Sequence, residues 1–238
     1  MNNIKLSIIV LTYNHEKYIR KCLDSILEQN VDFIYEILIG NDNSPDSTEK
    51  ILNEYKIKYP DIFKIFNRKT NLGSTRNYLD LCKKTSGEYV ILLEGDDYWT
   101  DRNKLLILTE FLDNNKEYIG VFHKVNEVNE EGRVLSTYPR ENMEKYVQEI
   151  NSIKSFLKLT YKDQNGQVIH IQSIMYRNIY EHCLDDRTQK YLTSGKMIAD
   201  LHTKLLILSM GKIKYINKNM GNYRRVRKEN GTSFSSQS

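Results

Sequence analysis

Three acidic residues follow a short apolar run near the middle of the chain. Glu94, Asp96 and Asp97 come directly after residues 90–93, Val-Ile-Leu-Leu, and Gly95 separates the first acid from the other two. The apolar run is typical of a β-strand that is buried on both faces. Carboxylates at the end of such a strand are costly unless a cation compensates their charge, and oxygen ligands suit Mg²⁺ or Mn²⁺. An ordinary acidic turn is equally consistent with this motif alone.

Apolar periodicity predicts the elements that must position these acids. Continuous apolar runs indicate strands at residues 6–11, 35–39, 62–66 and 90–93, and apolar residues at helical spacing indicate a helix between each pair. For the second of these helices we expect a capping box formed by Asp46 and Glu49. Strands that alternate with helices favour a parallel sheet with right-handed crossovers.

Polar residues follow three of these strands, at the end where such sheets bind ligands. Thr12, Tyr13 and Asn14 follow the first strand, Asp42 follows the second, and the acids follow the fourth. We therefore expect them to converge on one crevice. The chain has neither Gly-x-Gly-x-x-Gly after its first strand nor a P-loop. A cation cluster and a nearby aspartate suit a nucleoside diphosphate, because the aspartate accepts from a base N–H or a ribose hydroxyl while the cation bridges the phosphates.

Composition narrows the class of protein. The chain has 238 residues, a formal net charge of +4 and three widely separated cysteines, which predicts one large α/β domain, alone or with an appendage, and reduced thiols. No apolar run approaches the roughly 20 residues of a membrane span, and no signal-peptide pattern opens the sequence. We therefore expect a cytoplasmic protein, and the mild charge does not favour nucleic acid as a partner.

Four motifs, in order along residues 5–115, resemble family 2 glycosyltransferases of the GT-A fold. They are residues 6–14, 41–48, 71–73 and 94–99, the last reading Glu-Gly-Asp-Asp-Tyr-Trp. The resemblance implies a Rossmann-like, mainly parallel sheet flanked by helices, with a smaller acceptor-side subregion. It also implies inverting transfer of a sugar from a nucleotide-sugar, preferably UDP-linked, with Mn²⁺ or Mg²⁺ as cofactor.

The resemblance also assigns site residues. Asp42 corresponds to the aspartate that contacts the nucleobase, and residues 94–96 stand in place of the Asp-x-Asp motif, with Asp96 and Asp97 as metal ligands. Two residues depart from the family pattern: Asn41 and Glu94 each stand where many members carry aspartate. The donor-binding residues implied in this way are Thr12, Tyr13, Asn14, Asp42, Asn71, Gly73, Arg76, Glu94, Gly95 and Asp96.

Inverting transfer also needs a base that deprotonates the acceptor hydroxyl. In the family this is an aspartate before a helix in the second half of the chain, and Asp200 fits that position. A helix N-cap is the alternative role for Asp200. Asp185 and Asp186 are the reserve candidates for the base.

We expect residues 1–115 to bind the nucleotide-sugar, residues 116–222 to bind the acceptor and supply the base, and residues 223–238 to form a basic tail. The acceptor is a glycan, lipid-linked or protein-linked, with residues 130–172 helping to form its site. His123 either faces the acceptor or is structural. The tail is solvated, holds the diphosphate through Arg224 or Arg227, or contacts the inner face of a membrane.

Two other functions remain open at this point. One is a catalytically inactive protein that binds a sugar-nucleotide or a glycan as the partner of another transferase. The other is a nucleotidyltransferase, which uses a similar sheet and metal. A nucleotidyltransferase needs a glycine- and basic-rich phosphate loop after the first strand, and Thr-Tyr-Asn-His at residues 12–15 is not such a loop.

Overall fold

The first half of the chain forms the predicted parallel sheet. The computed structural model describes residues 4–163, 168–180 and 199–226. The elements of this half are β1 (Leu6–Thr12), α1 (Ile19–Leu27), β2 (Tyr35–Asn41), α2 (Thr48–Lys58), β3 (Phe63–Asn67), α3 (Ser74–Cys82) and β4 (Tyr89–Glu94). The strands pair in the order β3-β2-β1-β4, all parallel, with a helix after each of β1, β2 and β3. This confirms the predicted alternation of strands and helices.

The second half extends the same sheet with strands of both directions. Its elements are β5 (Tyr98–Trp99), α4 (Lys104–Asn114), β6 (Tyr118–Val128), β7 (Val134–Tyr138), β8 (Glu149–Ile150), α5 (Ile153–Lys162), β9 (Ile174–Arg177), α6 (Ala199–Met210) and β10 (Lys212–Arg224). Short 3₁₀ helices lie at Glu141–Tyr146 and Ile171–Ser173. β9 pairs antiparallel with β4 and β6, and β10 pairs parallel with β6, so the sheet continues as β4-β9-β6-β10-β5.

The central strands are buried on both faces, as their continuous apolar sequences predict. In β1, Ile9 and Leu11 pack into one hydrophobic cluster while Ile8 and Val10 pack into the other. Because successive side chains of a strand point to opposite faces, each cluster lies on its own side of the sheet. Helices cover both sides, which leaves the strand ends as the exposed edge of the sheet.

The capping box predicted for α2 is wrong. Asp46 Oδ1 accepts from the Thr48 backbone N–H at 3.0 Å, and Asp46 Oδ2 accepts from the Glu16 N–H at 2.9 Å. Glu49 instead accepts from the Asn67 side chain at 2.9 Å. The loop after β1 lies against the start of α2 and competes for the Asp46 carboxylate, a long-range contact that local spacing does not reveal.

The chain enters its basic C-terminal segment within the sheet. β10 ends at Arg224, so Tyr223 and Arg224, which the sequence analysis assigns to the tail, are strand residues. The next residue is tied to the sheet too, because the Arg225 N–H donates to the Val128 carbonyl at 2.7 Å. Among the described residues, every helix falls short of the length and hydrophobicity that a membrane span requires.

Candidate active site

The three acids of the central motif meet at the carboxyl end of β4. One carboxylate oxygen from each of Glu94, Asp96 and Asp97 lies within 4.8 Å of the others. Burial, then the charges of Asp96 and Asp200, raise the pKa of Glu94 to about 8. Burial, then Asp96 and Glu94, raise the pKa of Asp97 well above its usual range. A divalent cation would relieve this repulsion, and three oxygen donors at such spacing fit Mg²⁺ or Mn²⁺.

Gly95 lets the acidic loop lie directly against the end of β1. The Gly95 N–H donates to the Leu11 carbonyl at 2.8 Å. A Cβ atom on Gly95 would lie 2.8 Å from His15 Nδ1 and 2.9 Å from Thr12 Oγ1, closer than side-chain atoms pack. This close approach brings His15 Nε2 to 3.9 Å from Asp96 Oδ2. The glycine in the motif is therefore a packing requirement.

Asp97 is the anchored member of the cluster. Its Oδ1 accepts from the Arg224 backbone N–H at 2.8 Å, and its Oδ2 accepts from Gln172 Nε2 at 3.0 Å. Arg224 also donates through Nε to the Asp96 carbonyl at 3.0 Å. Residues of the second half of the chain thus hold both oxygens of Asp97 and fix the loop that carries the three acids.

Sequence reasoning missed Gln172 and Lys104, which support this anchor. The Lys104 ammonium is buried, donates to the Gln172 carbonyl at 3.1 Å and lies 4.2 Å from the centroid of the Trp99 ring. Burial lowers the pKa of Lys104 well below its usual range. Lys104 begins a helix and Gln172 follows Asp97 by 75 residues, so no local sequence pattern relates the two to Asp97. Only the fold brings them to Asp97.

Asp42 lies at the end of β2 and fixes the loop before α3. Its Oδ1 accepts from the Leu72 N–H at 2.7 Å, and its Oδ2 accepts from the Gly73 N–H at 2.9 Å. Asn71 Oδ1 accepts from the same Gly73 N–H at 3.0 Å, and Gly73 has a φ of 81°, a conformation that glycine adopts without strain. The contact of Asp42 with a nucleobase stays a prediction. The observed contacts show that Asp42 shapes the loop that borders the crevice.

The remaining predicted donor residues border the same edge. Thr12 is buried and its carbonyl accepts from the Asp42 N–H at 3.0 Å. Asn14 has a φ of 59°, so the chain turns sharply after β1, and its N–H donates to Ser44 Oγ at 3.0 Å. Tyr13 between them is half-buried, and Arg76 is exposed in the first turn of α3. The sheet thus brings the first-half candidates to one edge, as expected from parallel topology.

Asp200, the predicted base, lies in the first turn of α6. Its Oδ2 is 3.0 Å from Lys204 Nζ, one turn along the helix, while its Oδ1 is buried and has no hydrogen-bond partner among the described residues. The Asp200 charge also contributes to the raised pKa of Glu94. The reserve candidates Asp185 and Asp186, and Arg227 of the tail, lie outside the described residues.

His170 lies near Asp200 and was not singled out as a site residue. Burial lowers the pKa of His170 to about 4, against the opposing charge of Asp200. Its ring centroid is 4.2 Å from that of Tyr223. His170 is therefore a neutral imidazole at ordinary pH.

His123 and Arg224 have structural surroundings. His123 is fully buried and its Nδ1–H donates to the Lys124 carbonyl at 2.7 Å, so the structural alternative describes it better than a residue that faces the acceptor. Burial lowers the pKa of His123 well below its usual range. Arg224 is only 5% exposed, and its guanidinium lies over the rings of Tyr18 and Tyr98.

Comparison with known proteins agrees with this geometry. The model of the family described as Glycosyl transferase family 2 matches residues 7–184, about three quarters of the chain. A poly(ribitol-phosphate) beta-glucosyltransferase of Bacillus spizizenii is 39% identical over 99 residues, which are 40% of this chain and 15% of that protein. This chain spans 15–39% of the length of the curated relatives compared with it. The chain belongs to glycosyl transferase family 2.

Solved structures show the same fold. S. aureus TarS 1–349 in complex with UDP-GlcNAc has a TM-score of 0.65 and 20% identity, over 99% of this chain and 62% of that one. The mannosyltransferase PcManGT from Pyrobaculum calidifontis, in complex with GDP-Man and Mn²⁺, has a TM-score of 0.60 and 16% identity, over 96% of this chain and 58% of that one. These likenesses confirm the predicted GT-A fold.

Proposed function

We propose that this protein is an inverting glycosyltransferase that moves a sugar from a nucleotide-sugar, by preference UDP-linked, to a hydroxyl group of a glycan acceptor. The observation that carries the proposal is the meeting of three acids, two of them with strongly raised pKa values, at the edge of the sheet formed by the ends of β1, β2 and β4. Uncompensated acids at this edge suit a cation–diphosphate ligand.

Glu94 and Asp96 would hold Mn²⁺ or Mg²⁺, with Asp97 fixing the loop that carries them. Bound there, the cation would neutralise the negative charge that develops on the departing diphosphate. The side chain of Gln172 and the backbone N–H of Arg224 each donate to one oxygen of Asp97, and these hydrogen bonds keep the loop in one conformation. Asp42 would complete the donor site by holding the loop at residues 71–73 beside the nucleoside.

Asp200 would deprotonate the acceptor hydroxyl as that oxygen attacks the anomeric carbon. A base must present a carboxylate oxygen that is free to accept a proton. Within the part of the chain that the structure describes, Asp200 Oδ1 has no hydrogen-bond partner, while Oδ2 pairs with Lys204.

The names of two relatives support a class of acceptor. The names of the relatives include a poly(ribitol-phosphate) glucosyltransferase and a dolichyl-phosphate glucosyltransferase from Trichomonas vaginalis. Both names describe phosphate-containing acceptors. We extend from them only the class: a lipid-linked or polymer-linked hydroxyl that would reach the crevice from the side of α6.

Replacement of the proposed base tests the mechanism. In Asp200→Asn, sugar transfer or slow hydrolysis of UDP-sugars should fall by about 10²–10⁴-fold, the usual contribution of a general base, while UDP binding persists. Glu110→Gln, at an exposed position on α4, is the matched control and should retain activity. Unchanged turnover in Asp200→Asn would remove Asp200 from the mechanism without touching the donor site.

A further inference from the structure

The outer face of α5 combines exposed apolar groups with lysines in one stripe. Lys154 is three residues before Leu157 and four before Lys158, and Tyr161 is four residues after Leu157 and three after Lys158, so these side chains lie on the same side of the helix. Leu157 is 48% exposed and Tyr161 is 93% exposed. On the opposite side, Phe156 is buried in the core. The helix is therefore anchored by one face and leaves a second, mixed face open.

The open face carries positive charge that α5 itself does not neutralise. The sequence of α5, Ile-Lys-Ser-Phe-Leu-Lys-Leu-Thr-Tyr-Lys, contains three lysines and no acid. Lys162 Nζ lies 3.5 Å from the ring centroid of Tyr146, an aromatic residue of the adjoining 3₁₀ helix that is also exposed. The next acid in the chain, Asp163, is buried and 3.8 Å from Arg140 Nε. This face has the composition of helices that lie on anionic bilayers: apolar and aromatic groups flanked by lysines.

We propose that the face of α5 formed by Tyr146, Lys154, Leu157, Lys158, Tyr161 and Lys162 docks the protein on an anionic membrane surface. Leu157 and Tyr161 enter the boundary between headgroups and acyl chains, and the lysine ammonium groups contact lipid phosphates. An acidic protein partner would satisfy the lysines. It would not by itself account for Tyr161, an almost fully exposed amphipathic ring that suits the bilayer interface.

The described part of the basic C-terminal segment is less suited to this role. Arg224 donates to the carbonyls of Asp96 and Glu130, and Arg225 Nη1 donates to Glu127 Oε1 at 3.0 Å. These cations are committed to the protein, whereas the lysines on the open face of α5 extend into solvent. Because α5 packs against α6, docking through α5 would place the helix that carries Asp200 next to the one on the bilayer.

Vesicle binding tests the proposal without any requirement for sugar transfer, so its outcome is independent of the proposed function. The full chain is sedimented with vesicles rich in phosphatidylglycerol and, separately, with pure phosphatidylcholine vesicles. We expect binding to the anionic vesicles only, and weaker binding at high salt because the contact is electrostatic. Lys154→Gln with Lys158→Gln should reduce the binding constant by about 25-fold, since each lysine contributes about fivefold.

A second pair of variants separates the apolar part of the contact from its charge. Leu157→Ser with Tyr161→Ser should reduce binding at constant net charge. The matched control is Ile57→Ser on α2, which removes an apolar side chain that is 82% exposed and also leaves the net charge unchanged, and it should bind like the parent protein. All substituted positions are exposed, so the fold should persist, which circular dichroism verifies. Absence of parent binding, equal loss in the control, or binding to polyglutamate but not to vesicles would overturn the proposal.

Discussion

Glu94→Gln should stabilise the metal-free protein, and by an amount that grows with pH. The folded protein holds the Glu94 proton up to a pKa of about 8, mainly because the carboxyl is buried next to Asp96, whereas the ordinary pKa is 4.5. Between these values the unfolded chain has lost a proton that the folded chain retains. Stability is therefore complete below pH 4.5 and falls as the pH rises through 8.

The size of the effect follows from the shift. Each unit of pKa difference corresponds to about 1.4 kcal/mol, so the raised pKa of Glu94 lowers the free energy of unfolding by up to about 5 kcal/mol between low pH and pH 8. Glutamine carries no charge at any pH and escapes this penalty. Neighbouring acids share the cluster's charge, so we expect Glu94→Gln to gain about 2–4 kcal/mol at pH 8 and almost nothing at pH 5.

Urea denaturation with a chelator present, at several pH values from 5 to 8, measures this difference. Glu117→Gln, at an exposed position, is the matched control and should track the parent protein at every pH. A gain that is the same at pH 5 and pH 8 would refute the reasoning, because it would mean that the Glu94 carboxyl does not resist ionisation in the folded protein.

Three further substitutions test contacts of the site and of the sheet. Gln172→Met removes the amide that donates to Asp97 Oδ2 and leaves that oxygen buried without this partner. The substitution should therefore lower the free energy of unfolding by about 1–3 kcal/mol and weaken Mn²⁺ binding in a calorimetric titration. Gly87→Ala should destabilise by about 1–3 kcal/mol in urea, because a Cβ there would lie 2.4 Å from the Ser7 backbone nitrogen. Gly73→Ala has no nearby atoms to meet and should cost about 1–2 kcal/mol in urea from its φ of 81° alone.

Periodicity predicted the first half of the fold because its signals are local. β1 and β4 are buried on both faces, and their continuous apolar sequences predict this burial. The meeting of Thr12, Asp42 and Glu94 also followed from topology, since parallel strands end at one edge. The predicted strand limits were shorter than the observed ones for β1 and β2, which end in polar residues, Thr12 and Asn41.

What could not be predicted depends on contacts between distant segments. Three hydrogen bonds join residues that no spacing rule relates. Gln172 donates to Asp97, Arg224 donates to the Asp96 carbonyl, and the Glu16 N–H donates to Asp46. The role of Asp42 shows the same limit. The sequence predicted its position at a strand end. The hydrogen bonds that it accepts from the Leu72 and Gly73 N–H groups depend on how the loop before α3 folds back.

We propose that the acids at the end of β4 hold a cation and, through it, a nucleoside diphosphate. Calorimetric titration with UDP, in the presence and absence of Mn²⁺ and with GDP for comparison, measures this binding directly. We expect UDP binding that requires Mn²⁺ and disappears in Asp96→Ala, with the fold of the variant intact. Failure of both nucleotides to bind the parent protein, or equal binding by Asp96→Ala, would contradict it and leave the acids with a purely structural role.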